Sequence, residues 1–85
     1  MTRRWEIVLH EDAVLFLLAS KSSGRRALTR FLEQLRETPS LEGDFVETDD
    51  TGRPLQVKLH GKHLITYWPD HAVKEIRIVA IESGD

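Results

Sequence analysis

The sequence has 85 residues, of which 40% are hydrophobic and 31% are charged, and it contains no cysteine. This composition predicts one soluble globular domain over residues 1–85 and excludes disulfides, thiol catalysis and thiolate zinc sites. The net charge of −2 argues against a generally cationic nucleic-acid binder. Acidic residues are concentrated between residues 42 and 50, so the rest of the chain can still form local basic faces.

Targeting and membrane signals are absent from the sequence pattern. The longest apolar run, residues 13–19, is far shorter than the about 20 residues that cross a bilayer. The first twelve residues, MTRRWEIVLHED, lack the apolar region and the cleavage site of a signal peptide. We therefore expect a cytoplasmic protein of bacterial type with no membrane contact.

The first half of the chain predicts a strand followed by a helical hairpin. WEIVLH, residues 5–10, alternates as a strand does, and the acids after it favour a helix over the apolar run, which could also be a buried strand. Leu28, Phe31, Leu32 and Leu35 share one stripe of a second helix, which Pro39 ends. The segment 22–24, Ser-Ser-Gly, is predicted to be the turn between the two helices.

The second half of the chain has the period of two that is typical of strands. The predicted strands are DFVETD (44–49), LQVKLH (55–60), HLITYW (63–68) and VKEIRIVAIE (73–82). The last of them is apolar on both faces near its end, which predicts a central or covered position in the sheet. The fold class is thus α+β, in the order β-α-α-β-β-β-β, with the helical hairpin packed on a mostly antiparallel twisted sheet.

A two-residue turn, Gly61-Lys62, fixes the register of the central hairpin and places His60 opposite His63. Directly opposed residues share a face, although a slip of one residue would exchange the faces. We predict that one face turns inward to receive the helices: Leu55, Val57, Leu59, Leu64, Thr66 and Trp68. The other face is predicted to turn outward: Gln56, Lys58, His60, His63, Ile65 and Tyr67.

The outward face carries side chains that suit a phosphodiester site. A lysine stabilises developing negative charge, a histidine transfers protons near neutral pH, and a tyrosine stacks on an unpaired base. A solvated sheet face explains the same alternation, and it is the simpler interpretation. The histidines have no partner ligands at metal-site spacing, so we expect no metal and no cofactor.

Three stretches of the sequence, FLEQLRETP, VKLHGKHLITYW and EIRIVAI, follow one another in a pattern that resembles the RelE/ParE superfamily of bacterial type II toxins. The resemblance covers nearly the full chain. It implies a toxin of the bacterial stress response that is neutralised by a cognate antitoxin. RelE-like members are metal-independent, ribosome-dependent mRNA endonucleases, whereas ParE-like members inhibit DNA gyrase. A homodimer is a further option.

Under a RelE-like activity, catalysis is expected from the outward face: Lys58, His60, His63 and Tyr67. The resemblance itself matches Lys58 to a lysine of the family, Gln56 to a position that often holds a second lysine, and His63 to one that often holds an arginine. Nucleic-acid contacts are expected from the surrounding polar residues: Arg53, Gln56, Lys62 and Arg77. The RelE-like pattern also has an arginine and a tyrosine beyond the last strand, whereas no base and no aromatic residue follows Arg77 in this sequence. This departure favours the alternative of a non-catalytic binding protein, either a gyrase inhibitor or an inactive relative that binds an antitoxin. An unrelated small α+β domain is the third interpretation.

Overall fold

The computed structural model describes residues 4–83 and confirms the predicted order of elements. The chain forms β1 (Glu6–Leu9), α1 (Glu11–Ala19), α2 (Ser22–Glu37), β2 (Phe45–Thr48), β3 (Pro54–His60), β4 (His63–Asp70) and β5 (Glu75–Ser83). The α+β class predicted from the change of period between the two halves of the chain is therefore correct. No helix within residues 4–83 is long and apolar enough to cross a membrane.

The five strands form one sheet in the order β1-β5-β4-β3-β2. Strand β1 runs parallel to β5, and the other neighbouring pairs are antiparallel. Parallel neighbours need a long crossover, and the two helices lie between β1 and the antiparallel strands in sequence. Strand β5 has a neighbour on each side, which confirms the central position predicted from its apolar residues.

The helical hairpin divides at a different place from the one predicted. Ser22, Ser23 and Gly24 are not a turn but the first residues of α2. The break lies just before it, where Ser20 and Lys21 both have extended backbone: Ser20 ends α1, and Lys21 begins α2 and accepts the N–H of Arg25 at its carbonyl oxygen. Serine and glycine are tolerated in the first turn of a helix, because the N–H groups there have no acceptor within the helix.

The core lies between the helices and one face of the sheet. The stripe of α2 is buried as predicted from its spacing, with Leu28, Phe31 and Leu35 almost fully enclosed. The same cluster contains Ala13 from α1 and the following sheet residues: Ile65, Tyr67, Ile76, Ile78 and Ile81.

The register predicted for the β3–β4 hairpin is correct, and Gly61 in the turn has the positive φ of 62° that a tight hairpin favours. The assignment of its two faces is reversed. Ile65 and Tyr67, predicted to face outward, lie under the helices, whereas Leu59, predicted to face inward, is 50% exposed. Leu55, Val57 and Thr66, also predicted to face inward, are buried but lie outside the cluster under the helices.

The pairing of β4 with β5 gives the physical reason for the reversal. Tyr67 lies opposite Ile78, and Trp68 lies opposite Arg77. Because opposed residues share a face, the helices cover the side on which β5 supplies isoleucines, and the side with Arg77 remains uncovered. We call the uncovered side the open face. Trp68, Thr66 and Leu64 of β4 lie on it.

Candidate functional site

Tyr67 is bonded into the core and does not reach a surface site. Its side chain is fully buried, its ring lies 6.0 Å from that of Phe31, and its hydroxyl donates to the carbonyl oxygen of Leu41 at 2.9 Å. Burial, followed by the negative charges of Asp44 and Glu42, raises the pKa of Tyr67 to about 12. The hydroxyl thus anchors the segment that follows α2 to the sheet.

Gln56 and Lys58 hold the neighbouring loop. The amide oxygen of Gln56 accepts the N–H of Gly43 at 2.8 Å, and Lys58 Nζ lies 3.3 Å from a carboxylate oxygen of Asp44. The second oxygen of Asp44 accepts the N–H of Leu59 at 2.8 Å. These contacts, the backbone bond first and the Lys58 bond second, lower the pKa of Asp44.

The two histidines of the hairpin contact the helices. The ring of His60 lies 5.0 Å from that of Phe31, and the ring of His63 meets that of Phe16 edge-on at 5.7 Å. Both histidines are half-buried, and they lie opposite each other across the β3–β4 ladder. Lys62 is exposed in the turn between them.

On the open face, one tryptophan is flanked by two arginines. The guanidinium carbon of Arg53 lies 3.9 Å from the ring centroid of Trp68, and that of Arg77 lies 5.8 Å away. Arg53 directly precedes β3 and Arg77 belongs to β5, so the two guanidiniums come from the two strands that flank β4. Both lie within the range of a cation–π interaction, about 6 Å.

Arg77 is held by two carboxylates. Its Nη2 donates to Glu75 at 2.9 Å, and its Nε lies 3.6 Å from Asp70. The other oxygen of Asp70 accepts the N–H of Ala72 at 3.2 Å. Much of the charge of Arg77 is thereby offset, and its orientation beside Trp68 is fixed.

A tight loop positions Arg53. One carboxylate oxygen of Asp49 accepts the hydroxyl and the N–H of Thr51 and the N–H of Arg53, at 2.7, 2.9 and 2.9 Å. These bonds, led by the Thr51 hydroxyl, lower the pKa of Asp49. Gly52 turns the loop with a φ of 85°, a conformation that favours glycine.

Together these groups surround a cavity of about 410 Å³. It is lined by His10, Asp49, Arg53, Leu55, Trp68, Asp70, Arg77 and Val79. Its size is that of a small-ligand site, and it combines an aromatic wall with charged groups of both signs. Sequence reasoning singled out the two arginines but missed Trp68, His10 and the two aspartates. The register of β4 against β5 is the signal that points to Trp68.

The structure thus separates the predicted site residues into two groups. Arg53 and Arg77 lie on the open face beside the cavity. Five of the other six predicted site residues lie on the helix-covered side, namely Gln56, Lys58, His60, His63 and Tyr67, and the sixth, Lys62, is exposed in the hairpin turn. The catalytic and nucleic-acid-binding roles themselves stay predictions. The last two positions, Gly84 and Asp85, lie outside the described residues.

Within residues 4–83, no three histidine, aspartate or glutamate side chains are grouped closely enough to hold a metal ion.

Comparison with known proteins shows a shared fold. No family model matches the sequence, and a search of curated proteins gave no match. A chain in the crystal structure of the archaeal RelE–RelB complex from Pyrococcus horikoshii OT3 is similar over 96% of this chain and 97% of its own length, with a TM-score of 0.76. The two sequences are 15% identical, so the similarity confirms the RelE-like fold that the sequence pattern predicts.

Proposed function

We propose that this protein is the toxin of a type II toxin–antitoxin system and that it cleaves mRNA at the ribosome without a metal ion. The observation that carries the proposal is the RelE-like fold over nearly the whole chain, shared with a chain of the RelE–RelB complex. By the same analogy, its partner is a cognate antitoxin and its compartment is the cytoplasm.

In this proposal, the cleavage chemistry belongs to His60, His63 and Lys58. One histidine removes the proton from a ribose 2′-hydroxyl, which attacks the adjacent phosphorus, and the other protonates the departing 5′-oxygen. The products are a 2′,3′-cyclic phosphate and a 5′-hydroxyl, so no water or metal is consumed. Lys58 offsets the charge on the phosphate. Tyr67 takes no part, because its hydroxyl is buried and bonded to Leu41.

The toxin function is tested by inducing the gene in a bacterium. We expect growth to stop, cleaved mRNA to appear in primer-extension assays, and co-expression of the neighbouring gene product to restore growth. Normal growth during sustained expression of folded protein would contradict the toxin function.

The hairpin residues are tested by alanine substitution. We expect Lys58→Ala and His63→Ala each to lower ribosome-dependent cleavage at least about 100-fold, because each removes a charge-stabilising or proton-transferring group. Lys21→Ala is the matched control, because Lys21 is exposed between the two helices. All three variants should keep the circular dichroism spectrum of the parent. Unchanged cleavage in both hairpin variants would contradict catalysis at this end of the sheet.

A non-catalytic binding protein is the second candidate, and specific contacts favour it. Gln56, Lys58 and Tyr67 already make bonds inside the protein. In addition, α1 presents Leu15 and Leu18 to solvent, 55% and 71% exposed, which suits the surface of a partner-binding protein. Inhibition of gyrase supercoiling with intact mRNA would support this candidate over the nuclease.

A further inference from the structure

The outer side of α1 is apolar and exposed to solvent. We propose that it is the contact surface of a homodimer, in which the α1 helices of two copies of this chain pack antiparallel about a two-fold axis. The proposal goes beyond the toxin function and does not depend on it. It assigns a partner to a surface that neither the hairpin residues nor the open-face cavity uses.

Helix α1 is apolar around its whole circumference, because every residue from 13 to 19 is apolar. One side of the helix packs into the core through Ala13, Phe16 and Leu17. The opposite side carries three exposed side chains, which we call the α1 stripe: Val14, Leu15 and Leu18, with exposed fractions of 37%, 55% and 71%. A helix that is hydrophobic all round belongs in an interior, so the α1 stripe lacks the cover that its composition requires.

Helix α2 shows the contrast. Its buried side is apolar, and its exposed side is polar and charged, with Arg25, Arg26, Thr29 and Arg30 in solvent. Such a helix is complete once one side is covered. The requirement for a further partner is therefore specific to α1.

The charges at the two ends of α1 have opposite signs. Glu11 and Asp12 are exposed in the first turn, and Lys21 is exposed directly beyond the last turn. None of the three forms an ion pair within residues 4–83. Two parallel α1 helices would bring acids against acids. Two antiparallel α1 helices bring the acids of each copy against the lysine of the other, and their dipoles also attract.

The spacing of the α1 stripe matches the spacing of these charges. A two-fold axis level with residue 16 sets Val14 opposite the second copy's Leu18, and it sets Glu11 opposite the second copy's Lys21. The two copies of Leu15 then lie on either side of the axis. Because a two-fold interface repeats every contact, this single register forms two apolar contacts and two ion pairs. The stripe is thus complementary to itself.

The same charges argue against other occupants. A purely acidic partner segment would meet Glu11 and Asp12, and a purely basic one would meet Lys21. A second copy supplies both signs in the required order. Each copy contributes a helix of nine residues, about 13 Å long, so the interface lies at the low end of specific interfaces. We therefore expect a dissociation constant on the order of 10 µM.

Sedimentation equilibrium of the whole chain tests the dimer. As the concentration rises through the range of about 1 to 200 µM, we expect the average mass to increase from the monomer value of 9.8 kDa toward twice that value. A mass that stays at the monomer value at every concentration would overturn the proposal and leave the α1 stripe to a different protein.

A matched pair of leucines tests the surface. Leu15→Gln should raise the dissociation constant at least about tenfold, because it places a polar group at the centre of the interface. Leu59→Gln makes the same change at a leucine that is 50% exposed on β3, and it should leave the constant unchanged. Both variants should keep the circular dichroism spectrum of the parent. Equal dissociation constants for the two variants would contradict an interface on α1.

Charge exchange tests the antiparallel register. Glu11→Lys and Lys21→Glu should each raise the dissociation constant about three- to tenfold, because each places like charges together twice in the dimer. The variant that carries both changes restores opposite charges at both contacts, and its constant should return to within about threefold of the parent's. A double variant that dimerises more weakly than either single variant would contradict this register.

Failure of the dimer and failure of the toxin function have different signatures. Growth arrest by a protein that is monomeric at every concentration would overturn the dimer and leave the toxin function standing. A dimer with normal cell growth would support the interface and contradict the toxin function. At concentrations far below the dissociation constant the chain is monomeric, so Lys21→Ala remains a valid control for cleavage.

Discussion

Replacing Phe31 with alanine should lower the free energy of unfolding by about 3 to 5 kcal/mol. Phe31 is 1% exposed, and its ring packs against His60 and Tyr67 of the sheet. Removing the ring deletes buried apolar surface and leaves a cavity between α2 and the hairpin, which the fixed sheet cannot close. The size of the loss therefore reports which face of the hairpin the helices cover.

Phe45→Ala provides the matched control, because it makes the same chemical change at a ring that is 48% exposed on the edge strand β2. We expect it to cost about 1 kcal/mol or less. Urea denaturation followed by circular dichroism measures both values. Equal losses for the two substitutions would contradict the packing of α2 on this face.

Gly43→Ala should have the second-largest effect, a loss of about 2 to 4 kcal/mol. A Cβ atom at Gly43 would lie 2.5 Å from the carbonyl oxygen of Val57 and 2.7 Å from its nitrogen. Because the obstacle is the backbone of β3, the loop itself must move. That movement weakens the bond from the N–H of Gly43 to Gln56 and the neighbouring bonds of Asp44.

Gly24→Ala makes the same change where there is room. A Cβ atom there would meet only ordinary contacts, the nearest of them His63 at 3.9 Å, and Gly24 lies within α2. We expect a gain of about 0.5 to 1 kcal/mol from the better helix propensity of alanine. Thermal denaturation should thus show a lower Tm for Gly43→Ala and a higher Tm for Gly24→Ala than for the parent. A Gly43→Ala variant as stable as the parent would mean that the loop does not lie against Val57.

Much of the fold is predictable from periodicity and turn chemistry. The stripe on α2 and the Gly61-Lys62 turn are local signals. The first predicts the buried face of the helix, and the second predicts the register of the β3–β4 hairpin. The helix break was misplaced because Ser22-Ser23-Gly24 has the composition of a turn, although the same small residues fit the first turn of α2.

The two faces of the hairpin could not be assigned from the hairpin alone. Its helix-covered side is amphipathic: Tyr67 satisfies its hydroxyl on Leu41, and the long side chains of Gln56 and Lys58 reach the loop beyond the helices. Its open side is apolar in β3 and β4 but carries Glu75 and Arg77 in β5. Only the pairing of β4 with β5, a contact distant from the hairpin turn, resolves which side is which.

This reversal separates the two arginines from the hairpin residues with which they were grouped in the sequence. Arg53 and Arg77 were predicted to act with the hairpin residues, but they lie with Trp68 around the open-face cavity. The hairpin histidines stay at the other end of β3 and β4, against Phe16 and Phe31. The predicted nucleic-acid contacts of Arg53 and Arg77 and the predicted catalysis by the hairpin residues therefore require separate variants.

The central structural claim is that the helices cover the face of Tyr67 and leave the face of Trp68 open. Because Tyr67 is the only tyrosine in the chain, an alkaline titration of tyrosine absorbance tests this claim directly. Burial raises the pKa to about 12, so the neutral phenol supports folding below pH about 10, and this support is lost as the pH rises through the folded pKa. We predict no tyrosinate near pH 10 while circular dichroism shows a folded chain, and a midpoint near 12. A reversible midpoint near 10 in the folded protein would place Tyr67 in solvent and contradict the account.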